Sequence, residues 1–339
     1  MGIRILRDWL YQRWIALEID RFKVRGGTVI MITGSYGKTS VRELAHDLLR
    51  RKYQTLETSR NYNTAVGIAK TLRWEMTRNV EVFIVEVGAY RVGEIMGFCR
   101  VLKPNIGVIT GIAKQHLFRF GRWEKIIEAK TEIARYMEST GGILVANGGD
   151  ETVKKEVKEA RWYPTSPTAS LGASTDRNEI NKSGAKEIGR ALGMSEDEIK
   201  DAAEHFRSVP SRFEGTSDRY GMNVIDDSYN SNEKSFVDAV TYLSKQKKYT
   251  RILVTPGLIE LGSESQAIHK KLGRMIVGKC DLVILVGKNE RTDSMANGIN
   301  NKIKILWIEK TLQFMKVVKD LKLQKEPLVL LENDVPELH

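Results

Sequence analysis

The sequence predicts an α/β fold of two domains, each built on a mostly parallel sheet with helices on its faces. Short apolar runs alternate with amphipathic stretches along most of the chain, the pattern of strands joined by helical crossovers. A glycine-rich turn of the phosphate-loop type separates the first strand from the helix that follows it. The 339 residues also exceed what one ordinary core organises.

Residues 3–22 place Ile3, Leu6, Leu10, Trp14 and Leu17 at near-helical spacing. Up to Arg25 this segment carries six basic residues against three acidic. Such a helix can lie on an anionic membrane surface. Packing of its apolar stripe on the adjoining domain is the favoured alternative. After Gly26-Gly27, strands are expected over 29–33, 82–87, 106–110 and 143–147, with helices over 41–52, 65–75 and 123–138. Buried strands separated by helices imply a parallel sheet covered on both sides. Residues 162–178 are rich in Pro, Ser, Thr and Gly and read as a loop, followed by helices near 182–192 and 195–206. A second alternating set begins near Met222, with strands over 224–226, 252–255, 282–286, 305–308 and 328–331. Helices near 235–244, 266–277 and 312–321 lie between them. The expected division is a first helix over 1–27, a central domain over 28–210 and a C-terminal domain over 211–339.

Composition narrows the function classes. Hydrophobic residues make up 41% and charged residues 29%, the balance of a soluble globular protein. No apolar run reaches the roughly 18 residues that span a bilayer, and the arginine-studded start is no secretory signal. Cys99 and Cys280 suggest neither a disulfide nor a zinc framework, so a reducing cytoplasmic setting is expected. The net charge of +11 invites nucleic acid, yet the basic residues are interleaved with 43 acidic ones and no aromatic-basic RNA signature appears. A basic enzyme for anionic substrates accounts for the charge equally well.

The strongest local signal is Thr33-Gly34-Ser35-Tyr36-Gly37-Lys38-Thr39-Ser40. Its glycines let successive N–H groups face a phosphate, the helix start adds partial positive charge, and Lys38 adds a full one. Thr39 is placed to meet a magnesium ion through its hydroxyl. The longer G-x-x-x-x-G-K-[ST] form would need glycine where Ile32 stands, so the motif is the shorter G-x-x-G-K-[ST].

That shorter loop resembles the one in Mur ligases and folylpolyglutamate synthases, and further motifs follow in register. Arg60-Asn61-Tyr62-Asn63-Thr64 is similar to the G-N-x-N-N segment, and Phe83 to Ala89 to the strand ending in a magnesium-binding glutamate. Gly93-Glu94-Ile95, Lys103-Pro104, Gln115-His116-Leu117, the stretch Glu128 to Ile133 and Asn147 continue the pattern. Val209-Pro210-Ser211-Arg212 resembles the V-P-G-R linker, and Asp226 to Asn232 (DDSYNSN) nearly matches the D-D-S-Y-N-A-N motif of the MurF branch. Glu260-Leu261-Gly262 and His269 echo its E-L-G-x-E-S-x-x-x-H stretch. The resemblance spans about residues 28–290 and implies a P-loop central domain with a shortened sheet, followed by a Rossmann-like ligase domain.

The resemblance implies an ATP-dependent ligase that joins a carboxylate to an amine through an acyl phosphate, using two magnesium ions. Thr39 and Glu86 would hold one ion, and His116 with a carbamylated Lys130 the other. The loop residues Gly34 to Ser40, with Tyr36 among them, would bind the phosphates. Arg212 would reach the γ-phosphate and Asp227 the ribose, with Asn230 in the same motif. Asn178 and Asn181 would contact adenine, and Asn61 the substrate. Several elements depart from the family pattern: Arg177 replaces the histidine of H-N-x-x-N, Thr255 to Leu258 replaces G-D-M, and Leu331 to Pro336 replaces a K-G-S-R element. The stretch between Asn147 and Asn178 is short, and the usual UDP-sugar domain has only the first helix in its place. The substrates implied are therefore a small-molecule or peptidyl carboxylate, with or without a UDP link, and an amine. A poly-γ-glutamate-synthase-like or folylpolyglutamate-like ligase is the runner-up, and an ATP-binding subunit acting with a partner protein is the alternative from another class.

Overall fold

The computed structural model describes residues 2–59, 62–114, 117–164, 177–206, 214–219, 221–228 and 232–333. They fall into two compact units, residues 1–112 with 122–207 and residues 113–121 with 208–339.

In the first unit, strands β1 (Thr28–Thr33), β2 (Thr55–Glu57), β3 (Val82–Glu86), β4 (Ile106–Ile109), β5 (Ile143–Asn147) and β6 (Arg161–Tyr163) form a parallel sheet in the order β2-β3-β1-β4-β5-β6. The crossover from β1 to β2, through α2 (Lys38–Leu49), runs opposite to that from β3 to β4, through α4 (Glu94–Leu102). Right-handed connections therefore place these helices on opposite faces. Helix α9 (Arg177–Ala191) and α10 (Glu196–Ala203) pack with α2, while α1 (Gly2–Val24) packs with α3 (Ala65–Trp74) and α4. Covered on both faces, Val29, Ile30, Met31 and Ile32 of β1 are all buried, which is why the strand reads as an unbroken apolar run. Helix α1 buries Ile15, Ile19 and Phe22, a different stripe from the one expected to pack, for Leu10 and Leu17 are exposed.

One helix expected over 123–138 is two, α6 (Trp123–Lys130) and α7 (Glu132–Thr140), which meet at Thr131. The Thr131 hydroxyl turns back onto the Ile127 carbonyl at 2.9 Å. The Glu132 carboxylate accepts from the backbone N–H groups of Gly93 and Met96, capping the start of α4. Strands β2 and β6 and helices α4 and α8 (Glu151–Glu156) were outside the sequence expectations, since runs of three to nine residues carry little periodicity. Of the expected loop over 162–178, the start belongs to β6 and residue 177 opens α9, while residues 165–176 lie outside the described residues.

The second unit contains α5 (Leu117–Phe120) and strands β7 (Glu214–Arg219), β8 (Met222–Asp227), β9 (Thr250–Thr255), β10 (Leu282–Val286), β11 (Lys304–Ile308) and β12 (Pro327–Glu332). The sheet order is β11-β10-β9-β12-β8-β7, parallel except that β7 runs antiparallel to β8 at one edge. Side chains alternate between two cores: Leu253, Val283, Leu285, Leu328 and Leu330 enter one, and Val254, Ile284, Val329 and Leu331 the other. Helices α11 (Glu233–Lys245), α12 (Ser265–Ile276), α13 (Glu290–Ile299) and α14 (Gln313–Asp320) complete the unit. Helices α12 and α13 cross so closely that a Cβ at Gly273 would overlap the Met295 carbonyl, and one at Gly298 the Lys270 carbonyl.

Neither carbonyl can yield, because each belongs to helix backbone. Gly273→Ala is expected to destabilise the second unit by about 1–3 kcal/mol, the cost of overpacking a tight contact. Urea denaturation followed by a probe of that unit measures it.

Candidate functional site

The phosphate loop starts where β1 ends, so its N–H groups lie at the carboxyl edge of a parallel sheet and lead into the N-terminus of α2. Gly37 takes the left-handed conformation (φ 78°) that glycine adopts without cost. A Cβ at Gly34 would overlap the Thr110 hydroxyl, so backbone and side chain meet directly there. The loop is tied down from several sides. Ser35 N–H donates to the Gly111 carbonyl at 2.7 Å, and the Thr110 hydroxyl lies 2.5 Å from the Tyr36 carbonyl. The Tyr36 ring covers Gly111 and its hydroxyl donates to Asp150, which also accepts from Ile112 N–H at 3.1 Å. Lys38 folds over the loop, its ammonium 2.9 Å from the Gly34 carbonyl. Ser40 is buried in the first turn of α2.

Beneath the loop sits a set of buried charges. The Thr39 hydroxyl donates to Glu86 Oε2 at 2.7 Å, and both residues are buried. Arg42, one turn beyond Thr39 on α2 and 2% exposed, touches three carboxylates: Glu57 at 2.9 Å, Glu43 at 3.1 Å and Glu86 at 3.4 Å. Burial pushes the Glu57 carboxyl up in pKa, and Arg42 pulls it back down. Lys130, at the end of α6, is buried at 4% exposure. Burial, reinforced by the nearby Lys38 charge, pushes its ammonium down to about 7, against the opposing pull of Glu94, Glu86 and Glu132.

The structure thus brings together the loop from Gly34 to Ser40, Glu86, Lys130 and Asn181, whose side-chain oxygen lies at Gly37. Asp227 is buried in the second unit at the end of β8, in register with Glu332 of β12. Asn61, His116, Arg212 and Asn230 lie outside the described residues, as does the side chain of Asn178. Sequence reasoning missed Arg42, Thr110 and Asp150. Only the spacing of Arg42, three residues after Thr39 on one helix face, offered a signal.

Buried hydroxyl and carboxylate oxygens beside a phosphate loop are hard donors and suit magnesium, which takes one or two protein oxygens and fills its shell with phosphate and water. Among the described residues no three His, Cys, Asp or Glu side chains gather into a complete metal set.

The second unit holds a hollow of about 400 Å³ lined by Phe118, Leu258, Glu260, Ser265, Asn289 and Arg291, among others. Glu260 stands in the left-handed region (φ 60°), a strained conformation for a residue with a side chain, and its carbonyl accepts from Phe118 N–H at 3.3 Å. His269 is fully buried and holds the wall of this hollow. Its Nε2 accepts from Leu258 N–H at 2.9 Å, so the proton resides on Nδ1, which donates to the Ser265 carbonyl at 2.6 Å. Burial lowers its pKa and favours this neutral form.

The depressed Lys130 pKa has a consequence for stability. Between about 7 and the ordinary value of 10.5 the unfolded chain binds the proton that the folded chain has lost. Stability contributed through this residue therefore rises with pH across that window. In carbon-dioxide-depleted buffer, the stability gain on Lys130→Met should be larger at pH 6 than at pH 9.5, as measured by urea denaturation at the two pH values.

Known proteins share the fold. The model of the Mur ligase middle domain matches residues 32–195, and that of the Mur ligase glutamate ligase domain matches residues 211–331. The UDP-N-acetylmuramoyl-tripeptide–D-alanyl-D-alanine ligase of Escherichia coli is 29% identical over 304 residues, 80% of this chain and 67% of the relative. Its Bacillus subtilis counterpart is 26% identical over 78% of this chain and 63% of its own length. The chain thus spans about two thirds of the length of these relatives. Among solved structures, MurF from Acinetobacter baumannii superposes with a TM-score of 0.82 at 22% identity, covering 98% of this chain and 78% of that one. MurF from Thermotoga maritima in complex with ADP gives 0.77 at 24% identity, covering 96% and 81%. These likenesses establish the fold, and with two family models in order along most of its length, the chain belongs to the Mur ligase family.

Proposed function

We propose that the protein is an ATP-dependent carboxylate–amine ligase that forms an amide bond through an acyl phosphate. The observation that carries the reading is the phosphate loop closed over the buried Thr39–Glu86 pair, with Lys38 and Lys130 beside it. A substrate carboxylate oxygen attacks the γ-phosphorus of ATP, releasing ADP and leaving an acyl phosphate. The amine then attacks the acyl carbon, loses a proton and expels inorganic phosphate.

Each step concentrates negative charge, and the chain's own groups answer it. The N–H groups of residues 36–39 and the Lys38 ammonium hold the β- and γ-phosphates in line. Thr39 and Glu86 would hold one magnesium ion, which spreads the charge of the transferring phosphoryl group. His116 and Lys130 would hold a second, with Lys130 as its carbamate. A lysine that loses its proton near pH 7 is a competent nucleophile toward carbon dioxide, and the resulting carboxylate-like group is a hard ligand. By the family resemblance, Arg212 would serve the γ-phosphate, Asp227 the ribose with Asn230 in the same motif, Asn178 and Asn181 the adenine, and Asn61 the carboxylate substrate.

The amine fits the hollow in the second unit. An amino acid or dipeptide presents an ammonium and a carboxylate, and the lining offers both signs in Glu260, Glu290 and Arg291. The carboxylate substrate is cell-wall-related, as in the ligases this chain is similar to, or another anionic peptidyl acid. The reaction is cytoplasmic, where ATP and reduced cysteines are found. No helix of the described residues is long and apolar enough to cross a membrane. Peripheral contact through residues 1–25 is supported by Leu10, Leu17 and Val24, exposed at seven-residue spacing on the face opposite the buried stripe of α1. If that contact forms, the protein floats with vesicles containing about 30% phosphatidylglycerol and not with neutral ones, and Leu17→Glu abolishes flotation.

Phosphate release from Mg-ATP, tested across UDP-linked and free peptidyl carboxylates with amino-acid and dipeptide acceptors, tests the ligase reading. Acceptor-dependent release is expected, reduced by at least about 100-fold in Lys38→Ala and Lys130→Ala. ATP binding without release on any pair would instead support a nucleotide-binding subunit acting with a partner protein, the reading that Glu332 and Asn333 favour where the family carries K-G-S-R. Release with glutamate added to a free γ-glutamyl or folate-type acid would move the assignment to the poly-γ-glutamate or folylpolyglutamate branch.

A further inference from the structure

Arg42 is among the largest fully buried side chains of the described residues, and nothing in the ligase chemistry above uses it. An arginine without solvent is costly unless its donors are matched by acceptors. Here they are matched unequally. Nε meets Glu57 at 2.9 Å and Nη2 meets Glu43 at 3.1 Å, whereas Nη1 stands 3.4 Å from Glu86. Glu57 and Glu43 thus fix the guanidinium plane from two sides, and the third contact is the loosest. That contact falls on Oε2 of Glu86, the same oxygen that accepts the Thr39 hydroxyl proton at 2.7 Å. Both donors act on one carboxylate oxygen, so the other oxygen is the one left to meet a cation.

We infer that Arg42 is a positioning residue for the metal ion: anchored by Glu57 and Glu43, it pins one oxygen of Glu86 so that the carboxylate presents the other. The inference rests on the assignment of Glu86 as a metal ligand. Because the guanidinium keeps two partners of its own, it need not move when Glu86 engages a cation. The pinning also orients Thr39. The Thr39 proton is directed at Glu86, which sets the orientation of the hydroxyl toward the ion. Lysine at position 42 would keep the charge but offers a single point donor, which cannot hold three carboxylates in a plane.

The test is titration of Mn²⁺ into the protein–ADP complex, read as free Mn²⁺ by electron paramagnetic resonance, for wild type, Arg42→Lys, Glu57→Gln and Glu86→Gln. Unfolding temperature and ADP affinity in EDTA are measured alongside. Arg42→Lys is expected to weaken Mn²⁺ about 10-fold or more, the usual effect of removing a partner that orients a metal ligand, with ADP affinity in EDTA unchanged. Glu57 is about one-quarter exposed on an edge strand, so Glu57→Gln keeps the fold and tests the anchor even if Arg42→Lys does not fold. It should weaken Mn²⁺ by a smaller factor. If both variants lower the unfolding temperature and leave Mn²⁺ affinity at the wild-type value, Arg42 is structural only and the inference fails. A rise in affinity would overturn it too, since the guanidinium charge would then oppose the ion more than it prepares the site. Unchanged affinity in Glu86→Gln would contradict the metal assignment itself, a separate result.

Discussion

Buried charge is the constraint around which the first unit is arranged. Arg42, Glu86 and Lys130 are each almost wholly removed from water within reach of the same loop. No one of them is tolerable alone, because an isolated ion in a protein interior gives up several kcal/mol of hydration. The structure offsets this by placing them as neighbours: Arg42 neutralises Glu57 and Glu86, and Lys130, against the pull of Glu94, Glu86 and Glu132, gives up its proton more readily because it is buried beside Lys38. Charges fixed in place in this way are what the proposed phosphoryl transfer would need.

The parallel sheet makes the arrangement geometrically available. Parallel strands end together, so the loop after β1, Glu86 at the end of β3, and Thr110 just beyond β4 converge on one edge. Helix α2 then delivers Thr39 and Arg42 on one face, three residues apart. The break between α6 and α7 has a related role. It lets Lys130 end one helix toward the charged cluster while Glu132 begins the next and caps α4.

The parts of this account legible in the sequence are those written locally. The phosphate loop shows itself because glycine, lysine and threonine must occur at fixed spacing, and the long strands show themselves because burial on both faces makes them uniformly apolar. Both sheets and their parallel character were accordingly readable. The three-residue strands β2 and β6 were not, for they take their structure from pairing with β3 and β5 and carry no pattern of their own. Arg42, Thr110 and Asp150 were illegible for the same reason: the contacts that tie them to the site, with Glu57, Tyr36 and Tyr36 again, span 15 to 114 residues of sequence. The interruption at Thr131 was hidden inside a continuous helical periodicity and is decided by the tertiary bond from Glu132 to α4.

The most direct test of the account is a crystal structure with Mg²⁺ and a non-hydrolysable ATP analogue. The β- and γ-phosphates are predicted on the N–H groups of residues 36–39, with Lys38 between them and a magnesium ion bound by the Thr39 hydroxyl and the Glu86 carboxylate. Phosphates lying elsewhere, or an ion that leaves Thr39 and Glu86 hydrogen-bonded only to each other and to Arg42, would contradict it.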